Sequence, residues 1–283
     1  MTVLISMVNA SATTLLVVMG LAIVLGLMHI VNLAQTGFMA VGVYTGLEIG
    51  PRLGFWTGAL AAAVLAGLIG AAAETLLLRR VRERMLETML ATWGLSLILT
   101  QLITLRYGPD SRVMATPLHG SFHLFGTTWQ KYRVLLVVAA ILLVVAMWAL
   151  TRFTRVGLRV RMCMADPDLA EDSGINTLLV RQATFVLGCA LAGFVGVLLG
   201  PISGIDPNFA GNLLIPAFLA VMMSGRTLHG LVISGIALAV VQVGFAYWSK
   251  PAYATVAVIA VAVVVLGVLP DGIDLRRFRR AHV

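Results

Sequence analysis

Charge is what this sequence has least of: 11% of its 283 residues are charged and 60% are hydrophobic, whereas a soluble domain carries about 25% charged residues. That excludes a water-soluble chain, and the mean hydropathy of +0.98 says the same. Lysine is almost missing, only Lys131 and Lys250, so the formal charge of +8 is an arginine charge. Those arginines cluster at the ends of apolar runs, which suits topology and lipid headgroups; a nucleic-acid binder would not embed its basic residues between spanning helices. Cysteine is scarce too. Cys163 and Cys189 give neither a disulfide framework nor a metal-ligand set, and both are read as structural. The five histidines are dispersed, and H-E-x-x-H, G-x-S-x-G and the phosphate loop G-x-x-x-x-G-K-S/T are all lacking, which leaves no catalytic cluster, no metal site and no ATP site by those routes. A membrane enzyme would return only if Asp206, His229 and Glu74 converged in one cavity. The N-terminus has no basic region or small-residue cleavage site, so its first apolar run is expected to stay as a span.

What is present is hydrocarbon in runs of roughly 18–25 residues, too long and too uniform for barrel strands, so the spans are helices. Residues 1–28, 55–78, 88–105, 134–150, 183–200, 228–248 and 253–269 are candidate spans. Two shorter runs, 38–50 and 213–223, complete an all-α polytopic helical membrane protein with about eight to nine membrane elements, some discontinuous, in two related halves. The whole chain, 1–283, is one transmembrane domain. Its expected loops are 79–87, 151–182 and 271–283 on the cytoplasmic side and 107–131 outside, because the arginine clusters at 79–84, 152–161 and 276–280 stay inside. Residues 29–37 are either a break within a discontinuous helix or a tight turn between spans.

Small residues recur every four positions at Gly188, Ala192, Gly196 and Gly200, and at Ala59, Ala63, Gly67 and Ala71. Such stripes let neighbouring backbones approach closely in lipid. Glu48 and Glu74 fall near predicted helix ends and are read as interfacial, which disfavours an ion-coupled carrier with mid-membrane carboxylates. A pathway for a small, roughly neutral polar solute then falls on the polar interruptions. Asn32, Gln35 and Thr36 stand in the first, with Phe38 beside them. Pro216 marks a corresponding irregularity in the second half, with Phe218 following. Each is otherwise a turn, a kink or lipid-facing packing.

The one long polar insertion, residues 151–176, has readable local structure. Asp166 suits an N-cap, Pro167 the first helical position, Asp168, Glu171 and Asp172 the positive end of the helix dipole, and Gly174 a left-handed stop. A helix over 167–173 after a basic lead-in is expected. Its acidic face disfavours a seat on anionic lipid headgroups, and so short a helix suits a partner that receives it.

Four stretches in combination, NLAQTGFMAVGVYTG (32–46), LATWGLSLILTQL (90–102) with YGPDS after it, the R-x-G-L-R-V-R-M-C-M-A-D run ending at Asp166 and continuing to Asn176, and TFVLGCALAGFVGVLLGPISG (184–204), resemble the LivH-type permease subunit of branched-chain amino acid, amide or urea ABC importers. The resemblance covers nearly the whole chain. It implies a permease of the bacterial inner membrane that moves a branched-chain amino acid, urea or short-chain amide. It also implies a second related permease subunit, two cytoplasmic ATPase subunits carrying ATP and Mg, and an external solute-binding protein; this chain itself would hold no cofactor. Asp166, Asp168, Ala170, Glu171, Gly174 and Ile175 would form the coupling helix, and residues 32–38 would lie near the pathway. The chain departs from the common N-x-A-H-G-E pattern at Gln35, Thr36 and Gly37, losing the histidine and the acid, and from G-G-x-G-S at residues 224–228. A stand-alone secondary transporter or channel for a small neutral polar solute is the rival reading.

Overall fold

The computed structural model describes residues 2–28, 32–81, 84–118, 120–124, 127–224, 227–248 and 251–268. Within them the chain is almost entirely helical, because in lipid each backbone N–H and C=O must be paired inside its own segment. The order is α1 (Thr2–Met28), α2 (Gln35–Leu53), α3 (Phe55–Ala73), a π-helical turn (Glu74–Leu78), α4 (Arg79–Val81), α5 (Met85–Tyr107), strands β1 (Ser121–Leu124) and β2 (Thr127–Gln130), α6 (Lys131–Phe153), α7 (Arg155–Ala165), α8 (Pro167–Asp172), α9 (Thr177–Ser203), α10 (Gly211–Met223), α11 (Leu228–Trp248) and α12 (Pro251–Val268). Six stretches are long and apolar enough to cross a membrane, and two shorter apolar helices, Gly211–Met223 and Tyr253–Val268, join them. With α2 these make nine membrane elements among the described residues, and the chain is an all-α polytopic protein. Among the described residues the named strands are the antiparallel hairpin β1–β2, which pairs Ser121 with Gln130 and Leu124 with Thr127.

The second element is longer than its apolar run suggested. α2 extends to Leu53 through Pro51, which sits near the helix end. At about 1.5 Å per residue its 19 residues reach nearly across a hydrocarbon core of about 30 Å. Pro216 does not interrupt α10, which is continuous from Gly211 to Met223. Residues 29–31, 225–226, 249–250 and 269–283 lie outside the described residues, and with them His29, Arg226, Lys250 and the C-terminal arginines.

The chain separates into two compact units. One comprises Met1–Met19, Leu118–Val145 and Asn212–Val283. Here α11 packs on α12, the buried Ser234 Oγ donates to the Ala220 carbonyl at 2.6 Å, and Gly235 lies against Leu15.

The other comprises Gly20–Pro117 and Ala146–Gly211, and its centre is a three-helix contact of α2, α3 and α9. α2 is buried from Gln35 to Tyr44 on nearly every side, so it is a core helix rather than a lipid-facing one. The contact is made by glycine. A Cβ on Gly42 would meet the Gly193 Cα at 2.5 Å, one on Gly193 would meet Ala66 Cβ at 2.6 Å and the Ala62 carbonyl at 2.7 Å, and one on Gly196 would meet the Met39 carbonyl carbon at 2.9 Å. Gly188 presses on Val24, Gly200 on Val43, and Ala192 is fully buried. On α3 the buried residues are Gly58, Ala59, Ala62, Ala66, Gly67, Gly70 and Ala73, so Ala59 and Gly67 of the expected stripe are buried while Ala63 and Ala71 are only partly so. A strict spacing of four drifts off one face of a helix with about 3.6 residues per turn, and alternating steps of three and four do not.

Replacing Gly42 with valine should lower stability by about 3 kcal/mol, because the branched side chain would have to displace α9 backbone. Replacing Gly94, which has nothing within 4 Å of its would-be Cβ, with alanine should leave stability level or slightly raised. Thermal melts of the two purified variants, followed by size-exclusion chromatography, check the contrast; equal melting temperatures would count against the glycine contact.

Candidate functional site

The first interruption becomes a built turn. Ala34 N donates to Asn32 Oδ1 at 3.1 Å, Gln35 N to the Asn32 carbonyl at 3.3 Å, and Phe38 N to the Ala34 carbonyl at 3.0 Å, so Asn32 starts α2 as an Asx turn. Asn32 is 1% exposed and Gln35 is 0% exposed. Yet Asn32 Nδ2 and both polar atoms of the Gln35 carboxamide have no hydrogen-bond partner among the described residues. Gln35 lies under α1, where a Cβ on Gly20 would come within 2.6 Å of its Nε2. Thr36 is satisfied by Ser96 of α5 at 2.8 Å. Phe38 is fully buried and meets Phe185 of α9 edge to face, ring centroids 6.5 Å apart.

Two groups not singled out as pathway residues are buried in the same unit. Cys189 is fully buried on α9, against Gly70 of α3. Glu74 is buried, 1% exposed, which corrects its placement at the interface. The span that carries it does not end at Leu78 but continues through the π-turn to Val81. Glu48 does lie on an exposed surface, where its Oε2 accepts the Tyr107 hydroxyl at 2.6 Å. Asp206 and Glu74 do not converge. Gly70, one turn before Glu74, packs on Cys189 of α9, and Asp206 lies 17 residues after Cys189, beyond the end of α9, on the order of 25 Å away at a helical rise. Pro216 and Phe218 belong to the other unit, on α10, both partly buried, while Ala217 between them is fully buried.

The polar insertion folds into two helices where the sequence suggested one. Its basic lead-in is α7, whose N-cap Thr154 accepts Gly157 N at 3.0 Å. Arg155, Val156, Leu158, Arg159 and Arg161 are exposed, whereas Gly157 and Cys163 are buried; the amphipathic spacing of this run was the available signal. Next, Asp166 Oδ1 accepts both Asp168 N and Leu169 N at 3.1 Å, and Pro167 takes the first helical position of α8. Gly174 stops the helix at φ 79°, and Ile175 N donates to the Ala170 carbonyl at 3.0 Å. Glu171 reaches forward to Thr177 Oγ1, and Asn176 caps α9 through Leu179 N at 3.0 Å. Ala170 is not at the surface. It is fully buried against Cys163, with Val160, Met162, Met164, Ile175 and Val180 around the pair. The outward apolar group of α8 is Leu169, 60% exposed between acidic neighbours.

At the other end of the same unit, Arg112 N and O pair with Ile205 O and N at 2.8 and 3.0 Å, tying the stretch after α5 to the stretch after α9. Among the described residues no three His, Cys, Asp or Glu side chains could hold a metal ion.

Nine apolar helical elements with buried small-residue contacts define a polytopic membrane protein, and the comparisons specify its role. The chain is a permease and not an enzyme, a multi-pass protein of the inner (cytoplasmic) membrane. It belongs to the family described as branched-chain amino acid transport system / permease component, whose profile matches residues 3–268. Similar proteins include the high-affinity branched-chain amino acid transport system permease protein LivH of Salmonella typhimurium, 28% identical over 94% of this chain and 92% of the relative. The LivH protein of Escherichia coli K12 matches at the same identity and coverage, and BraD of Pseudomonas aeruginosa is 26% identical over 95% of this chain and 94% of its own. A solved structure, PsaBC from Streptococcus pneumoniae in complex with Fab, shares the fold with a TM-score of 0.52 at 12% identity, covering 94% of this chain and 91% of that one.

Burial is the largest influence on Cys163 and pushes its thiol pKa up, against a smaller opposing pull from the Arg181 charge. A raised pKa means less thiolate at any given pH, so alkylation should be slow at pH 7–8 and rise only above the range of a free thiol near 8.5. A maleimide rate profile against pH checks this. Ala170→Leu, which wedges the α7–α8 contact apart, should raise the rate at pH 7.5 several-fold.

Proposed function

We propose that this chain is a permease subunit of a binding-protein-dependent ABC importer that carries a branched-chain amino acid. The support for the solute is the agreement of the relatives, which bear that solute in their names over nearly the whole chain. The support for the machine is α8, a six-residue helix capped at both ends, held to α7 through Ala170 and to α9 through Glu171, and offering Leu169 outward. A helix this short is marginal alone, and its anchoring makes it a rigid projection suited to a groove on a partner.

In this reading two ATPase subunits receive α8 on the cytoplasmic side, and ATP and Mg reside on them; no cofactor resides on this chain. A second, related permease completes the pathway, and an external binding protein delivers the solute. Residues 79–87, 151–182 and 271–283 face the cytoplasm and 107–131 the outside, as the arginine clusters demand, within one transmembrane domain over 1–283. The coupling residues are Asp166, Asp168, Glu171, Gly174 and Ile175, with Ala170 acting from beneath by holding α8 on α7. Asn32, Gln35, Thr36 and Phe38, with Pro216 and Phe218 in the other unit, mark the translocation pathway. The carboxamides of Asn32 and Gln35 supply polar groups that protein partners leave unmet, each worth about 1–3 kcal/mol when it finds a bond.

Gln35 and Gly37 stand where the LivH-type pattern has a histidine and an acid, and this favours urea or a short-chain amide as the second reading of the solute. Uptake by reconstituted vesicles, with leucine, urea and short amides as competitors, decides between them; uptake without any ATPase subunit would support the channel or secondary-transporter rival. Leu169→Asp should leave the permease folded and membrane-inserted but reduce solute-stimulated ATP hydrolysis at least tenfold. Unchanged stimulation would remove α8 from the coupling role.

A further inference from the structure

Where the stretch after α5 is tied to Ile205, a shallow recess of about 320 Å³ is lined by Leu47, Glu48, Arg106, Tyr107 and Arg112. Its volume is at the small end of ligand sites, which run about 300–1,000 Å³. The Tyr107 ring forms its middle. The guanidinium carbons of Arg106 and Arg112 both stand 5.4 Å from that ring's centroid, and Arg112 Nη2 donates to the Tyr107 carbonyl at 2.7 Å. Behind it the Tyr44 ring lies 4.9 Å away, centroid to centroid. Glu48 uses Oε2 for the Tyr107 hydroxyl. Neither arginine has a carboxylate partner among the described residues, although Glu48 lines the same recess.

Two guanidiniums, one carboxylate and an apolar surface of Leu47 and the Tyr107 ring converge on one small volume. A guanidinium fork matches a carboxylate in two parallel hydrogen bonds, a carboxylate accepts from an ammonium, and the aromatic face and leucine receive an aliphatic side chain. These are the three chemical parts of a zwitterionic aliphatic amino acid. The framework is fixed as well: Gly108 turns the chain at φ 84° directly after Tyr107, and the Arg112–Ile205 backbone pair holds the arginine in place.

We propose that this recess is a low-affinity entry site on the outer face of the permease that takes a zwitterionic aliphatic amino acid, with Arg106 and Arg112 on its carboxylate, Glu48 on its ammonium, and Leu47 and Tyr107 on its side chain. The assignment of the outer face and of the solute class rests on the proposed function above. Binding here is weak and water-exposed, as suits a site that must release its occupant onward.

The test uses the complete transporter in nanodiscs without its binding protein, probed by saturation-transfer NMR with leucine, 4-methylpentanoate, which lacks the ammonium, and 3-methylbutylamine, which lacks the carboxylate. Glu48→Gln should weaken leucine and the amine at least fivefold and leave 4-methylpentanoate unchanged. Arg106→Gln combined with Arg112→Gln should do the converse, and Arg106→Lys should restore part of the loss. Melting temperatures equal to the parent confirm that the variants are folded, and Glu48→Gln keeps an acceptor for Tyr107. Equal binding of all three compounds by parent and variants overturns the proposal. So does a result in which the substitutions weaken only the affinity for the binding protein, which would make the recess a protein contact. Leucine uptake by the full system is scored separately: its absence alongside the expected NMR pattern would refute the transport reading and leave the site standing.

Discussion

The contact on which the larger helical unit depends is backbone against backbone, α2 on α9 at Gly42, Gly193 and Gly196. Lipid tails are as apolar as the side chains they meet, so no hydrophobic gain drives two helices together in a bilayer; the gain comes from packing that only small residues permit. Because α9 and α3 close on α2 at glycine distance, α2 has no lipid-facing side along Gln35–Tyr44. Everything carried by its first turn goes inside with it. That is why Asn32 and Gln35, ordinary turn residues by sequence, finish with Asn32 Nδ2 and the whole Gln35 carboxamide unmatched in the interior, and why Phe38 packs on Phe185 rather than standing free.

The polar insertion obeys a different physics. Its helices form at the polar edge of the chain, where local hydrogen bonds decide structure: Thr154 for α7, Asp166 for α8, Asn176 for α9, and Gly174 to stop α8. Three caps in 23 residues leave the backbone little choice. The apolar cluster around Cys163 and Ala170 then converts three short helical ends into one body continuous with α9. A force applied at α8 is therefore delivered to the same helix that carries Gly193 and Gly196.

Local rules and long apolar runs were legible in the sequence; assembly was not. The caps of α8 could be read residue by residue, since capping is decided within four residues. The spans were visible because lipid imposes length and apolarity on each helix alone. The small-residue face of α3 was legible at Ala59 and Gly67 but not at Ala62, Ala66 and Gly70, since a four-residue spacing and a three-four alternation look alike over short runs and only the partner helix distinguishes them. The burial of Glu74 was missed because a π-turn has no sequence signature and prolongs the span past the point where arginines suggested its end. The burial of Ala170 was not legible, since an alanine between exposed acids faces inward only if something covers it, and the helical character of the basic lead-in that covers it, α7, was not read from the sequence. The hairpin β1–β2 left no mark either, being two strands of four residues each.

The π-turn at Glu74–Leu78 amounts to one residue inserted in an otherwise regular helix. Each residue advances a helix by about 100°, so the inserted one turns all that follows by that angle about the axis. The face Ala59–Ala62–Ala66–Gly70 meets α9 on one heading, and Leu78, Arg79 and Arg80 leave on another. A deletion of one residue there would keep a straight and apolar span of adequate length. It would also swing Leu78 from the core and re-aim the arginines that follow, so an indel invisible to hydropathy would rewrite which way this end of the helix points.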